Sequence, residues 1–171
     1  MIRVAFASDD RRSVNLHFGA AEQFVLYDVA PGVAELVGIG RFVKARMKGV
    51  NAERDREDTP SPELEERMTE DKVVDKIEFL RSCAGVYAAK IGVSSIKRLM
   101  QAHIQPIIVP KGFAIEELLN EVSLALTSGG LAWVERAART PERRDLPIPP
   151  HSASVGSPER YYLIKSIDEI A

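Results

Sequence analysis

The sequence predicts an α/β protein with a mixed five-stranded sheet and helices on both faces, and two observations carry this prediction. Three β-branched or aromatic runs come first, at Ile2–Ser8, Phe24–Val29 and Glu35–Val43, with connections too short for crossover helices. Helical patterns then alternate with two further apolar runs, Cys83–Ala89 and Gln105–Val109. We therefore expect an antiparallel meander followed by parallel strands with right-handed crossovers.

Three helices are predicted from apolar residues that recur at helical spacing. Their stripes are Val73, Ile77 and Leu80, then Ile96, Leu99, Met100 and His103, then Ile115, Leu118, Leu119, Val122 and Leu126. Thr69 is expected to cap the first helix and Ser94 or Ser95 the second, while Gly129-Gly130 ends the third. A short amphipathic piece, Leu131 to Ala138, holds the single tryptophan, Trp133.

These patterns divide the chain into an α/β domain, residues 1–138, and a proline- and arginine-rich tail, residues 139–171. The domain carries an acidic insertion at 44–71, where residues 51–72 contain nine acids and four bases. We expect a mobile acidic loop there, with partner docking as the alternative. In the tail, residues 161–165 are apolar enough to dock as a strand or against the domain.

Composition excludes several classes of protein. The chain has 171 residues and a net charge of −2, so a general nucleic-acid binder, which needs a basic excess, is not expected. No apolar run approaches the ~20 residues of a membrane helix, and the first residues do not resemble a signal peptide, so we expect a cytoplasmic protein. One cysteine, Cys83, permits neither an internal disulfide nor a cysteine-rich metal cage.

Motifs for catalysis are missing as well. There is no Cys-x-x-Cys, His-Glu-x-x-His or Gly-x-Ser-x-Gly, and Gly38-Ile39-Gly40 lies inside a strand pattern, where we interpret the glycines as strand irregularities. Asp9 and Asp10 follow the first strand, as magnesium ligands of nucleases do, but no companion carboxylate follows the other central strands. A magnesium-dependent hydrolase is therefore the weakest interpretation.

The loop after the first strand holds the residue of most interest, His17, between Asn15-Leu16 and Phe18-Gly19. A histidine beside a glycine can project its imidazole while the backbone approaches a bulky ligand. Its neutral nitrogen is a good ligand for iron, although one histidine binds a bare ion poorly. We expect either one donor to a ligand that is already largely self-coordinated, or a plain surface or capping histidine.

Each of the other candidate residues also has a purely structural interpretation. Cys83 is a small core residue or, if its strand end opens on the face of His17, a thiolate contact to iron. The basic run Arg41, Lys44, Arg46 and Lys48 would favour an anionic ligand, or is a solvated strand end and loop. We expect His103 to be a partly buried helix-end histidine and His151 to be solvated.

Three segments resemble the dinitrogenase iron–molybdenum cofactor-binding family, which includes NifX, NifY, NafY and the C-terminal domain of NifB. They are Val4-Ala5-Phe6-Ala7-Ser8, then Val14-Asn15-Leu16-His17-Phe18-Gly19-Ala20-Ala21, then Phe24 to Val29. The resemblance continues to about Ala138, with the acidic loop as an insertion. Within the family, the Ala-Trp-Val-Glu-Arg-Ala stretch after the third helix, and the lack of an N-terminal helical domain, resemble the NifX branch.

The resemblance implies a ribonuclease H-like fold without nuclease activity. It implies that Asn15, His17, Phe18 and Gly19 bind an iron–sulfur cofactor precursor (NifB-co) or the iron–molybdenum cofactor, with His17 as the iron ligand and Cys83 as a further contact. The expected partners are a NifEN-type scaffold, NifB-type proteins and apo-dinitrogenase. The sequence at Ile91-Gly92-Val93-Ser94 departs from the small residues that relatives often carry there.

The primary hypothesis is therefore a non-enzymatic carrier of a nitrogenase cofactor or its precursor. The alternative is a regulatory or chaperone-like protein that binds an apo-nitrogenase component through the acidic loop and the tail without carrying the cluster. One or two protein ligands and a positive surface would give a carrier both holding power and easy release.

Overall fold

The computed structural model describes residues 1–42, 72–140, 146–148, 152–153 and 160–163. The strands are β1 Ile2–Ala7, β2 Ser13–Val14, β3 Gln23–Ala30, β4 Val33–Arg41, β5 Gly85–Ala88, β6 Gln105–Ile108, β7 Phe113–Ala114, β8 Ser152–Ala153 and β9 Arg160–Tyr162. The helices are α1, residues 72–79, then α2 Val93–Gln101, α3 Ile115–Ser128 and α4 Ala132–Ala138. The whole acidic insertion, 44–71, with the predicted cap Thr69, and most of the tail, including His151, lie outside the described residues.

The main sheet has the mixed topology that the sequence predicts. Its order is β6-β5-β1-β3-β4-β8, with β9 also paired to β4. Strands β1, β3 and β4 form the antiparallel meander, and β1, β5 and β6 are parallel. The predicted count of five strands is too low, because two short strands from the C-terminal stretch pair with β4 and make seven. Strands β2 and β7 form a separate small sheet.

The sheet is covered by helices on both faces, as predicted, because its inner strands carry apolar residues on both sides. In β1, Val4 and Phe6 join a core that contains Leu119 of α3 and Val134 of α4. Ala5 and Ala7 face the other core, which contains Phe79 of α1 and Leu99 of α2. Period-two alternation thus assigns successive residues of one strand to two different cores.

The glycines of β4 explain a strand irregularity. The β3–β4 register shifts between Leu26 and Tyr27, so that Leu26 pairs with Gly38 and Tyr27 with Leu36, which confirms the predicted irregularity. At Gly40 a Cβ atom would lie 2.4 Å from the Phe79 ring. Glycine there lets α1 pack directly against the sheet.

Helix ends agree with the sequence in one case and differ in another. Gly129 caps α3 with a φ of 73°, as predicted, because glycine tolerates a positive φ. The predicted cap of α2 at Ser94 or Ser95 is wrong: Gly92 is the N-cap, and both serines lie inside the helix. Ser95 is buried within the helix, and no side chain caps the helix by a hydrogen bond.

The described part of the C-terminal stretch covers the outer edge of β4. Ser152–Ala153 pair with Gly40 and Ile39, and Arg160–Tyr162 pair with Glu35, Ala34 and Val33. The Tyr161 ring lies against Tyr27 with their ring centroids 5.7 Å apart. The predicted docking of this segment as a strand is confirmed for Tyr161 and Tyr162.

Candidate functional site at the carboxyl edge of the sheet

The parallel strands β1, β5 and β6 end at one edge of the sheet, which we call the carboxyl edge. The loop that follows β1 carries His17, and Lys90 and Lys111 follow β5 and β6. Ligands of α/β proteins bind preferentially beyond the carboxyl ends of such strands. The position of His17 in the fold is therefore one where binding sites are common.

The backbone around His17 is fixed to the end of β5. His17 forms an isolated parallel bridge with Lys90. The Phe18 N–H donates to the Lys90 carbonyl at 2.8 Å, and the Ala89 N–H donates to the Leu16 carbonyl at 2.9 Å. The Phe18 side chain is fully buried, with its ring centroid 5.6 Å from that of Phe24, whereas His17 is exposed. Phe18 thus anchors the loop and leaves the neighbouring imidazole at the surface.

Lys76 of α1 is hydrogen-bonded to the same loop. Its ammonium donates to the Phe18 carbonyl at 3.1 Å and to the Gly19 carbonyl at 2.7 Å, and the residue is only 4% exposed. Burial, with a smaller contribution from the nearby Lys72 charge, lowers the pKa of Lys76 to about 8. The sequence analysis missed this residue. The available signal was its position on the α1 stripe, three residues after Val73 and four before Leu80.

The first half of the loop is ordered by its two aspartates. The Asp10 carboxylate accepts hydrogen bonds from the backbone N–H groups of Arg12 and Ser13 and from the hydroxyls of Ser8 and Ser13. Desolvation is the largest single influence and raises the pKa of Asp10, but these hydrogen bonds together lower it to about 2. Asp10 is therefore an acceptor that folds the loop.

Asp9 and Asn15 form a second pair that closes this half of the loop. The Asn15 amide donates to the Asp9 carboxylate at 2.5 Å, and the Asp9 N–H donates to the Asn15 side-chain oxygen at 3.1 Å. Asn15 thus shapes the loop two residues before His17. The carboxylates that prompted the hydrolase interpretation are both engaged in local hydrogen bonds.

Exposed basic side chains surround the loop. Lys90 is adjacent to His17 through the backbone bridge, and Lys111 precedes Gly112, whose N–H donates to the Val14 carbonyl at 2.8 Å. Arg41 ends β4, which runs parallel to β1 across the sheet, and is also exposed. Lys90, Lys111 and Arg41 thus place exposed cations along this edge, a pattern that favours an anionic ligand. Lys44, Arg46 and Lys48 lie outside the described residues.

The structure does not bring Cys83 to this edge. Cys83 precedes β5 and is fully buried, whereas His17 contacts the chain just after β5. The seven residues from Cys83 to Ala89 span about 20 Å in extended conformation. The condition under which Cys83 would contact the same iron as His17 is not met.

The remaining predicted positions also have a place. His103 is exposed rather than partly buried, because the chain adopts a φ of 60° there, just after α2, and turns away from the helical stripe. Gly92 and Val93 begin α2 beyond Lys90 and form the neighbouring part of the carboxyl edge.

Within the described ranges, no group of three or more His, Cys, Asp or Glu side chains is placed to hold a metal ion. Nor does that part of the chain contain a helix of the length and apolarity needed to cross a membrane.

Comparison with known proteins gives a consistent result. The model of a family described as dinitrogenase iron-molybdenum cofactor matches residues 1–124, which include the whole His17 loop. Protein NifX of Azotobacter vinelandii is 32% identical over 146 residues, or 85% of this chain and 80% of that protein. Protein NifX of Herbaspirillum seropedicae is 26% identical over 84% of this chain. The FeMo cofactor biosynthesis protein NifB of Frankia alni is 34% identical over 107 residues, 18% of its own length.

Proposed function

Because the chain belongs to the dinitrogenase iron-molybdenum cofactor family and is similar to its NifX members, we propose that it is a non-enzymatic carrier in cofactor biosynthesis. Its cargo would be the iron–sulfur precursor NifB-co or the iron–molybdenum cofactor. The observation that carries the proposal is one exposed imidazole, His17, on a loop fixed from both sides by Lys90 and Lys76.

The chemistry of the loop fits a cargo that is already assembled. An iron–sulfur cluster satisfies most iron valences with its own sulfides, so a single neutral imidazole adds one bond without dismantling it. The exposed Lys90, Lys111 and Arg41 add attraction for an anionic cluster. Few bonds and an open surface allow release to an acceptor, which a closed cage of four ligands would hinder.

Asn15, Phe18 and Gly19 support this role by shaping the loop. Asn15 binds Asp9, and Phe18 fills the core beneath His17. Gly19 is exposed, and a Cβ there would meet nothing within 4 Å, so its surface is open to a bulky cluster. Cys83 has no part in the proposed site.

The proposed partners follow from the same cargo. A scaffold of the NifEN type and NifB-type proteins would supply or receive the cluster, and apo-dinitrogenase would be a further acceptor. We also propose a ribonuclease H-like fold, which is supported by the order of the five longer strands. These strands are β1, β3, β4, β5 and β6. When they are numbered one to five along the chain, their order across the sheet is 3-2-1-4-5.

The test is cluster loading of His17→Ala under anaerobic conditions. The isolated precursor cluster is mixed with each protein, free cluster is removed by gel filtration, and iron is counted per chain. His17→Ala is expected to fold normally and to retain at most a tenth of the wild-type iron. The matched control is His103→Ala, which removes another exposed histidine and should retain iron as the wild type does.

Spectroscopy gives the same test a direct readout. Pulsed electron paramagnetic resonance of the loaded wild type should detect a nitrogen donor on the cluster, and this signal should vanish in His17→Ala. Retention of iron and of the nitrogen signal by that variant would overturn the role of His17. The regulatory alternative predicts instead that deletion of residues 51–69 abolishes partner binding and leaves cluster loading intact.

A further inference from the structure

A cavity of about 640 Å³ opens at the opposite end of the sheet, which we call the amino edge. It lies between the start of β1, the residues before β5, the start of β6, the end of α2 and one side of α4. Cavities of this size hold small organic ligands. It is distant from His17, since the two edges are separated by the length of the central strands.

One wall of the cavity is apolar, and its tryptophan is tightly packed. It includes Ile104, Met100 and Trp133. The Trp133 ring meets Tyr87 edge to face with ring centroids 6.2 Å apart, and it approaches Gly85 so closely that a Cβ there would lie 2.9 Å from it. Ile104 is almost completely buried, whereas Met100 is 59% exposed. An exposed methionine beside a fixed indole is a surface suited to an apolar or aromatic group.

The polar groups of the cavity are cationic or neutral. Among the described residues that line it, Arg3, Arg136 and His103 are basic, and none is acidic. The charge of Arg3 is met by Asp28, whose oxygens lie 2.8 and 3.2 Å from its nitrogens. Among the described residues, the Arg136 side chain has one hydrogen bond, from Nη2 to the Gln105 side-chain oxygen at 3.4 Å, and it is exposed. Because this partner is neutral, we take Arg136 as the cation that meets a ligand.

We propose that this cavity binds a small organic carboxylate. The apolar body of the ligand contacts Trp133 and Ile104, and its carboxylate accepts hydrogen bonds from the guanidinium of Arg136. Arginine suits this role because its planar fork of donors matches a carboxylate in two-bond geometry. His103 lines the same cavity. This site is independent of the cluster-carrying function.

An organic carboxylate can be distinguished from two simpler kinds of ligand, because it needs both the apolar wall and Arg136. An inorganic anion would use Arg136 without the apolar wall. A neutral apolar molecule would use Trp133 and leave Arg136 without a partner anion. Binding that needs both features therefore separates the proposal from nonspecific attraction of either kind.

The single tryptophan makes the experiment direct, because Trp133 alone reports on the cavity by indole fluorescence. The full chain is titrated with 4-phenylbutyrate, with its neutral amide and with inorganic phosphate. We expect a saturable change with the carboxylate alone, with a dissociation constant of about 1 mM or lower. No saturable change with 4-phenylbutyrate, or an equal change with the amide or phosphate, would overturn the proposal.

Two arginine variants complete the test. Arg136→Gln should weaken binding of 4-phenylbutyrate at least tenfold while the protein stays folded, because the residue is exposed. The matched control is Arg139→Gln, just after α4 and outside the cavity lining, which should change the affinity less than twofold. Equal affinities of wild type and Arg136→Gln would also overturn the proposal.

Discussion

The two edges of the sheet each present an exposed histidine among basic side chains, but they are built differently. At the carboxyl edge, His17 stands on a loop to which Lys76 donates hydrogen bonds and whose own donors bond to the Lys90 carbonyl and to the two aspartates. At the amino edge, His103 follows the end of a helix and borders a cavity with an indole wall. The first is an exposed loop with polar side chains, and the second is a partly apolar recess.

This difference separates the kinds of guest that each edge fits. A protruding imidazole on a rigid loop can reach a large, rigid object and form one bond to it. A recess encloses a small object and gains from burying its apolar surface. One histidine in each place is therefore no sign of a shared function, since the local backbone decides what the side chain can meet.

The largest effect is expected from Gly85→Ala, which disturbs the amino edge alone. The new Cβ would lie 2.9 Å from Trp133 and 3.2 Å from Ile107, so the indole must move. Overpacking of this kind costs about 1–3 kcal/mol, which corresponds to a Tm about 5 °C lower. Calorimetry measures the Tm, and the emission of Trp133 should shift in parallel.

The control for this variant is Gly19→Ala at the carboxyl edge, where an added Cβ would meet nothing within 4 Å. Its Tm should equal that of the wild type within about 1 °C. If Gly85→Ala also changed hydrogen exchange of the His17 loop, the two edges would not be independent, and the comparison would fail.

The next effect in size is expected from Lys76→Met, which acts on the carboxyl edge. The variant removes the donors to the Phe18 and Gly19 carbonyls and keeps an apolar stem of similar length. In the wild type the Phe18 N–H donates to the Lys90 carbonyl at 2.8 Å. In the variant this amide should exchange about tenfold faster, which corresponds to an opening free energy lower by ~1.4 kcal/mol. Hydrogen exchange followed by NMR measures this rate.

Lys97→Met is the matched control. Lys97 is exposed on α2, and the ammonium that donates to the Phe18 and Gly19 carbonyls is that of Lys76. In Lys97→Met the Phe18 amide should exchange as in the wild type. Unchanged exchange in Lys76→Met would mean that Lys90 and Phe18 hold the loop by themselves.

The smallest effect is expected from Asp10→Ala, and it depends on pH. The pKa of Asp10 is lowered from 3.8 to about 2 in the folded protein, so its carboxylate stabilises the fold above about pH 4. That contribution is lost as the pH falls through 2. Because the residue is exposed, we expect ~1 kcal/mol or less at pH 7.

Urea unfolding at pH 7 and at pH 2.5 measures this contribution. The difference in unfolding free energy between wild type and Asp10→Ala should shrink at the lower pH. Asp75→Ala, which removes an exposed carboxylate from α1, is the control. A difference that grew towards low pH would contradict the hydrogen-bonding role of Asp10.

Much of the fold was predictable because its long elements have clear periods. The alternation in β1 and β3 and the helical stripes of α1 to α3 gave the mixed α/β order. The short strands β2, β7, β8 and β9 have two or three residues each, too few for a period to be visible. Their existence depends on partners distant in sequence, such as the pairing of Ser13 with Ala114.

The site was predictable only where one segment contains its parts. Asn15, His17, Phe18 and Gly19 lie within five residues, so the sequence alone indicated a loop with an outward-facing histidine. Lys76 and Lys90 reach that loop from other elements, and no local pattern links them to it. The two interpretations of Cys83 stayed open for the same reason, since the end of a strand at which a residue lies depends on the direction of the strand in the sheet.

The C-terminal strands have a consequence for solubility. Without β8 and β9, the nine residues of β4 would present a row of unsatisfied backbone groups, a template for pairing between molecules. At the other border of the sheet, the N–H groups of Gln105 and Val109 donate to the Ala84 and Ala88 carbonyls, so Pro106 and Ile108 face outward on β6. Proline has no N–H, so this border offers one backbone donor fewer to another molecule. Intermolecular β-sheet growth is thus hindered at one border by added chain along part of β4, and at the other by the chemistry of a single residue.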